Sequence, residues 1–382
     1  MKRRQVIARA GAWLGAPALL AACGGSAGSA SVPTPAPAPP PPPAFKVLGE
    51  YATQSAASSL ATTAHGRRLY LDGESAGLQA LDATNLSQPK LLGSLPLQSF
   101  NGGRDSIQAL AAHQHRVAAL VVPGCAGTCR PSGLEMVMAD FSEPTQPRWL
   151  KRFGTDLIDL AWMGDRLLLL QGPPVDEFFS APRARLLVLD IGIDGTPTPV
   201  SQIEGLPLGR LRVQGTRAHL VYGTADGGSG LQTIDLIDAA RPVLGPASHP
   251  LGTRLEQTSG PHAAQTGDFL WLLKSGEASL TRLNLRHADL APERQALPGP
   301  AQHIAPLGGG LLVAFGEAGA RLMSGASTGT LSAGPQIEVS GAVASVAGFG
   351  DFGVAWLPAQ QACSPGVCTL LRGARAGLFA AG

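Results

Sequence analysis

The sequence predicts an all-β chain built from repeated four-stranded units, and three observations carry that expectation. Short turns, most of them containing glycine, recur at Gly66-Arg67, Gln114-His115, Gly164-Asp165, Gly215-Thr216, Gly267-Asp268, Gly309-Gly310 and Gly350-Asp351, 41 to 52 residues apart. Each is followed by an apolar segment such as RRLYLD, DRLLLLQ or DFLWLL, which is the pattern of a β-hairpin. The composition agrees: 49 Gly and 32 Pro, with 15% charged and 5% aromatic residues in a chain of 382, suit many short strands and tight turns.

In the first five units the third strand ends in Asp or Asn, GLQALD at Asp82, GLEMVMAD at Asp140, RLLVLD at Asp190, GLQTID at Asp235 and SLTRLN at Asn284, while the sixth (ARLMSG) and seventh (CTLLRG) are degraded. These side chains are expected to bond back to nearby amides, with a proline fixing the next turn, a role that needs no catalysis. The fourth strand follows in QPKLLGSL, QPRWLKRF, TPVSQIEG and RPVLGPAS. Four-stranded units of 40–50 residues that cannot bury their apolar faces alone indicate a β-propeller. The expectation is seven four-stranded blades, with six as the alternative. Phe45–Glu50 (FKVLGE) matches the fourth-strand sequence PKLLGSL at Pro89–Leu95, so an N-terminal strand is expected to complete the last blade beside Ala342–Ala347, Phe352–Leu357 and Cys368–Leu371.

GLQALDATNLSQPKLLGSL resembles the repeat of bacterial propellers built on an LVIVD-type motif, in which a strand ending in Val-Asp precedes a proline turn and a leucine-glycine strand. The resemblance covers most of Ser55–Asp235 and fades in the last three units. It implies a propeller of exported or surface proteins and carries no assigned catalytic residues. The Trp-Asp signature of WD40 blades and the Trp-docking motifs of quinoprotein dehydrogenases are both absent from the sequence.

Residues 1–22 read as an export signal: basic Lys2, Arg3 and Arg4, then a short apolar stretch ending in Leu20-Ala21-Ala22-Cys23. That ending resembles the bacterial lipobox, which makes Cys23 the lipidated first residue of the mature chain. Arg3-Arg4-Gln5-Val6-Ile7 resembles the twin-arginine export motif. Gly24, standing where Asp would retain a lipoprotein in the inner membrane, implies an outer-membrane address. Residues 23–43 form a Gly/Ser/Pro-rich tether, part flexible and part stiff, and residues 44–382 form the propeller domain. With Lys2, Arg3, Arg4 and Arg9 removed, 25 basic residues face 27 acidic ones. A charge of −2 gives no electrostatic reason to bind nucleic acid. In an oxidising compartment Cys125/Cys129 and Cys363/Cys368 are expected to form two local disulfides; neither pair has zinc-ribbon spacing.

Several local motifs match catalytic or metal-binding patterns, and each has a simpler reading. Gly73-Glu74-Ser75-Ala76-Gly77, Gly325-Ala326-Ser327-Thr328-Gly329 and Gly24-Gly25-Ser26-Ala27-Gly28 all match the hydrolase elbow pattern, but Ser75 lies between two strands where the elbow needs a strand and a helix. His113-Gln114-His115 lies on a turn with no third metal ligand near in sequence, and His65, His219, His249, His262, His287 and His303 show no ligand spacing. No catalytic, metal or cofactor site is therefore expected from local motifs. The longest loop joining second and third strands, QGPPVDEFFSAPRA, offers Asp176 and Glu177 beside Phe178 and Phe179 as a contact patch for a protein or peptide. The functional expectation is a membrane-anchored cell-envelope propeller that binds or scaffolds a protein or ligand. The alternative is a propeller enzyme (a lactonase, lyase or quinoprotein-like oxidoreductase) with residues gathered at the channel mouth from several blades.

Overall fold

The hairpin turns are set by backbone conformation. In the computed structural model, Gly66, Gly164, Gly215, Gly267 and Gly350 all have φ between 56° and 63°, the left-handed region that tight hairpins require. Gln114 occupies the same place with φ 54°, a conformation that costs a side-chain-bearing residue about 1–2 kcal/mol. Its amide reaches Asp165 only at 3.5 Å. Gln114→Gly should therefore stabilise the protein by about 1 kcal/mol, read as a higher urea midpoint. An unchanged or lower midpoint would show that the side chain compensates for the backbone strain.

The structure describes residues 45–53, 61–73, 76–97, 105–124, 133–173, 183–223, 229–251, 262–287, 291–364, 367–372 and 374–380. The chain divides into two units, Met1–Pro41 and Pro42–Gly382, of which the first lies outside the described residues.

Strands are numbered in chain order. After β1 (Phe45–Lys46) and β2 (Gly49–Ala52), a four-stranded meander comprises β3 (Thr62–His65), β4 (Arg68–Asp72), β5 (Leu78–Asp82) and β6 (Lys90–Leu95). A seven-stranded sheet follows, of β7 (Ser106–His113), β8 (Arg116–Val122), β9 (Leu134–Asp140), β10 (Arg148–Met163), β11 (Arg166–Gln171), β12 (Ala184–Ile191) and β13 (Pro197–Leu206). Next come the meanders β14 (Gly209–Gln214), β15 (Arg217–Gly223), β16 (Ser229–Asp235), β17 (Val243–Leu251) and β18 (His262–Thr266), β19 (Phe269–Leu273), β20 (Ser279–Asn284), β21 (Glu293–Ala296). Then β22 (His303–Leu307), β23 (Gly310–Ala314), β24 (Ala320–Ser324) and β25 (Ser332–Glu338) form a sheet with β1 at its edge. The last sheet joins β26 (Ser345–Phe349) and β27 (Phe352–Leu357) to β30 (Arg375–Ala380) and β2, while β28 (Gln360–Ser364) and β29 (Val367–Arg372) make a separate hairpin.

The expectation of seven, or six, separate four-stranded blades is corrected by these sheets. Five stand alone as blades, four of four strands and one of five, and the stretch expected to give the second and third blades is one seven-stranded sheet. The cause is β10. Its first half pairs with β9 and its second half with β11, with Leu157 in register with both. Only the bend at Gly154 (φ 74°) and Asp156 (φ 58°) separates the halves, too short a connection to break the ladder. The sheet turns there, so that Ala118, Leu120 and Met136 pack on Leu167 and Leu169.

Closure also departs from expectation. The single strand anticipated at Phe45–Glu50 is split: Phe45–Lys46 runs parallel to Ile337–Glu338, and only Gly49–Ala52 pairs with the last sheet. No ladder joins β26 to β3 among the described residues; these two meet by packing. The third strand of the last sheet is Arg375–Ala380, not Cys368–Leu371. RAGLFA is buried along almost its whole length, so its apolar side chains reach the interface while the earlier segment is left in the hairpin. Of the two expected disulfides, that between Cys125 and Cys129 lies outside the described residues; the other is corrected, since Cys363 and Cys368 are main-chain partners across the β28–β29 ladder and no disulfide occurs among the described residues. Ladder hydrogen bonds hold that hairpin.

The core lies between sheets. Tyr70 and Leu78 meet Val117 and Phe141; Leu186 and Val188 meet Leu220 and Ile234. Trp271 and Leu280 meet Ile304 and Val313, and Leu69 and Leu81 meet Val354 and Trp356. Second strands such as β4, β8 and β19 are buried on both faces, which is why they read as unbroken apolar runs. The polar ends of the third strands behave as expected. Asp82, Asp140, Asp235 and Asn284 each accept the amide two residues on, from Thr84, Ser142, Ile237 and Arg286, at 2.8 to 3.0 Å. Asp190 instead pairs with Arg166 at 2.9 Å, and Asp194 takes the turn role by accepting the Thr196 amide.

Candidate functional site at the mouth of the channel

The first strands of successive sheets stand side by side: β7 beside β3 and β10, then β14, β18, β22 and β26, with β26 returning to β3. Each begins at the end where second strands lead into third strands, β10 reaching it at Leu157 after its bend, so these positions surround one mouth. Four of the polar side chains there belong to β14, β18 and β22.

Alternation on β14 turns Leu211 and Val213 into the core and leaves Arg210 and Arg212 on the opposite face. Arg210 Nη1 donates to the Ile158 carbonyl at 3.0 Å. Arg212 Nε donates to the Ala263 carbonyl at 2.8 Å and Nη1 to the Leu211 carbonyl at 2.6 Å. Asp159, buried on β10, accepts the amides of Leu160 (2.9 Å) and Leu211 (2.8 Å), with Arg212 Nη1 at 3.9 Å. That carboxylate therefore stitches β10 to β14 while sitting beside the guanidinium.

His262 opens β18 and His303 opens β22; their ring centroids are 4.2 Å apart. Burial pushes His303 down to about 3, helped by His262 and Arg212, while a hydrogen bond with the Val346 main chain opposes the shift. Burial, with Arg212 and Arg210 nearby, pushes His262 down to about 4. Both imidazoles are neutral near pH 7, and the Nδ1 atom of His303 is buried without a hydrogen-bond partner. Among the described residues, these two guanidiniums, one carboxylate and two neutral rings sum to one net positive charge.

The sequence-derived candidates lie elsewhere. Cys23, Asp176, Glu177, Phe178, Phe179, Ser75, Cys125 and Cys129 fall outside the described residues. His113 and His115 diverge: His113 Nε2 meets Asp165 Oδ1 at 2.8 Å and packs near His65 and Trp162, whereas His115 Nε2 lies 3.8 Å from Asp140. Ser327 sits exposed in a one-turn 3₁₀ helix, Ala326–Thr328, between two left-handed glycines. No group of three or more His, Cys, Asp or Glu side chains placed to hold a metal ion occurs among the described residues. An open groove of about 1030 Å³ runs along Val47–Glu50 and Gln336–Ala342, lined by the acids Glu50, Glu317 and Glu338.

The channel-mouth residues were missed because the histidines were tested for the spacing of ligands on one element. The informative spacing is that of the repeat: Arg212, His262 and His303 are 50 and 41 residues apart, each at or near the start of a first strand.

No family model matches the chain, and no curated protein matches it. Solved structures do. The WD40 repeats of RRP9 align over 89% of this chain and 99% of theirs at TM-score 0.58 and 11% identity. U3-55K aligns over 88% and 99% at TM-score 0.59 and 11% identity. A chain of the mitotic checkpoint complex aligns over 93% and 97% at TM-score 0.55 and 9% identity. At such identities the likeness is one of fold alone: the chain is a β-propeller similar to WD40-repeat propellers.

Proposed function

We propose that this protein is a lipid-anchored cell-envelope β-propeller that binds a ligand or protein partner, in the manner of the LVIVD-type repeat proteins its early units resemble. The observation that carries the binding reading is the convergence of Arg210, Arg212, His262 and His303 from three first strands onto one mouth. Fixed cationic donors beside neutral rings make a recognition surface. The enzyme alternative would need an acid or base poised near the working pH. Imidazoles pushed down to about 4 and about 3 are poor bases, which favours binding over proton-transfer chemistry. The anchor rests on the leader and on Leu20-Ala21-Ala22-Cys23 followed by the Gly/Ser/Pro tether. Among the described residues no helix is long and apolar enough to cross a membrane, so on this reading attachment falls to the lipid on Cys23.

Expression of the full chain in a bacterium with labelled palmitate tests the anchor. Label and membrane fractionation are expected for the natural sequence and are expected to disappear in Cys23→Ala. Label that persists in the variant, or a natural chain that stays unlabelled and soluble, would remove the lipoprotein reading.

A further inference from the structure

We infer that the channel mouth is a carboxylate-binding site, in which Arg212 holds the anion with Arg210 and His262 beside it. The inference rests on reading this mouth as a binding site, but not on the lipid anchor.

Arg212 is fixed for this task. Its Nε and one Nη are engaged by main-chain carbonyls of its own and the neighbouring sheet, so the guanidinium plane is held while its side chain remains 34% exposed at the mouth. A guanidinium whose fork is oriented in advance matches the two oxygens of a carboxylate. Asp159, the nearest carboxylate among the described residues, does not satisfy it. Both Asp159 oxygens already accept amides, and the approach to Arg212 is 3.9 Å, beyond hydrogen-bond length.

Charge selects the class of anion. The facing groups are Arg210 and Arg212 on β14, Asp159 on β10, His262 on β18 and His303 on β22. With the imidazoles neutral, these five side chains among the described residues carry one net positive charge, which matches a monoanion better than a phosphate dianion. His262 adds one ring N–H donor without adding charge, and His303 packs against it with its Nδ1 atom buried. A metal cation is disfavoured by the two guanidiniums. The same carboxylate could belong to a small free acid or to the C-terminus of a peptide, and the two sources are separable.

Calorimetric titration of the purified full chain at pH 7 tests this with four probes: sodium lactate, a tripeptide with a free C-terminus, the same tripeptide amidated, and inorganic phosphate. Saturable binding of lactate or of the free-acid peptide is expected, with the amidated peptide silent and phosphate weaker. Arg212→Gln should weaken it about tenfold or more, and Arg212→Lys should restore part of it, keeping the charge but not the fork. Binding by lactate alone assigns a small acid, and binding by the peptide assigns a C-terminus. The inference is overturned if neither binds, if the amidated peptide or phosphate binds as well as the acids, or if Arg212→Gln, folded by its urea midpoint, binds unchanged. Lipidation of Cys23 can succeed or fail independently of all these outcomes.

Discussion

Lowering the pH from 7 to 5 is expected to destabilise the propeller by about 2 kcal/mol for each of three imidazoles that the fold desolvates. His262 and His303 are two, faced by one another and by Arg212, with Arg210 also beside His262. The third is His219 on β15, 3% exposed, held by Thr233 at 3.2 Å and pushed down to about 4 by burial and by Arg217. In the unfolded chain each would titrate near 6.5, so the unfolded state binds more protons as the pH falls below that value. Stability is therefore complete above about 6.5 and is lost progressively toward pH 4 and below. Carboxylates that fold with lowered values, such as Asp82 and Asp140, take up protons only below their ordinary value of 3.8. The interval from 7 to 5 thus isolates the histidines. Urea midpoints at the two pH values measure the slope, and His219→Gln and His303→Gln should each reduce it by about 2 kcal/mol. Slopes equal to the natural protein's would mean that these rings are hydrated and charge freely in the fold.

What the sequence disclosed, and what it withheld, divides along the range of the interactions. Turn positions were legible because a left-handed backbone is a local demand that glycine meets, as at Gly66, Gly164 and Gly350. The one slip is instructive: in Gly308-Gly309-Gly310 every residue can turn, and the structure places the turn at Gly308 and Gly309, with Gly310 already in β23. The Asp82 and Asp140 turns were legible for the same local reason. Fusion of two expected blades was not, because RFGTDLI reads as the end of one strand and the start of another. Only the three-dimensional bend at Gly154–Asp156 shows that pairing never stops. The last sheet was misassigned because VCTLL and RAGLFA are both apolar. The choice between them falls to packing against Leu69, Leu71 and Leu81, some 300 residues earlier. The channel mouth is the same kind of case: its residues meet only because the sheets form a ring.

Removing Arg152 should have the second large effect, a loss of about 3–5 kcal/mol. Arg152 lies on the first half of β10, where Nη1 donates to Asp105 Oδ2 at 2.7 Å and Nε donates to Glu135 on β9. Asp105 is 4% exposed and also accepts the Gly124 amide at 2.7 Å. One cation thus ties the approach to β7, the exit of β8, and the β9–β10 ladder. Desolvation of three charged groups offsets most of what their attraction contributes, so the intact triad adds little net stability. The cost appears when the cation alone is taken away. Arg152→Met leaves Asp105 buried and Glu135 part-buried with no guanidinium between them. If stranded carboxylates cause the loss, then Arg152→Met combined with Asp105→Asn and Glu135→Gln should recover most of it, because the carboxamide oxygen of an asparagine side chain can still accept the Gly124 amide. Urea midpoints of the single and triple variants at pH 7 decide the matter. Recovery in the triple variant locates the penalty in uncompensated charge. A triple variant as unstable as Arg152→Met would instead place the stability in the hydrogen bonds that Arg152 donates.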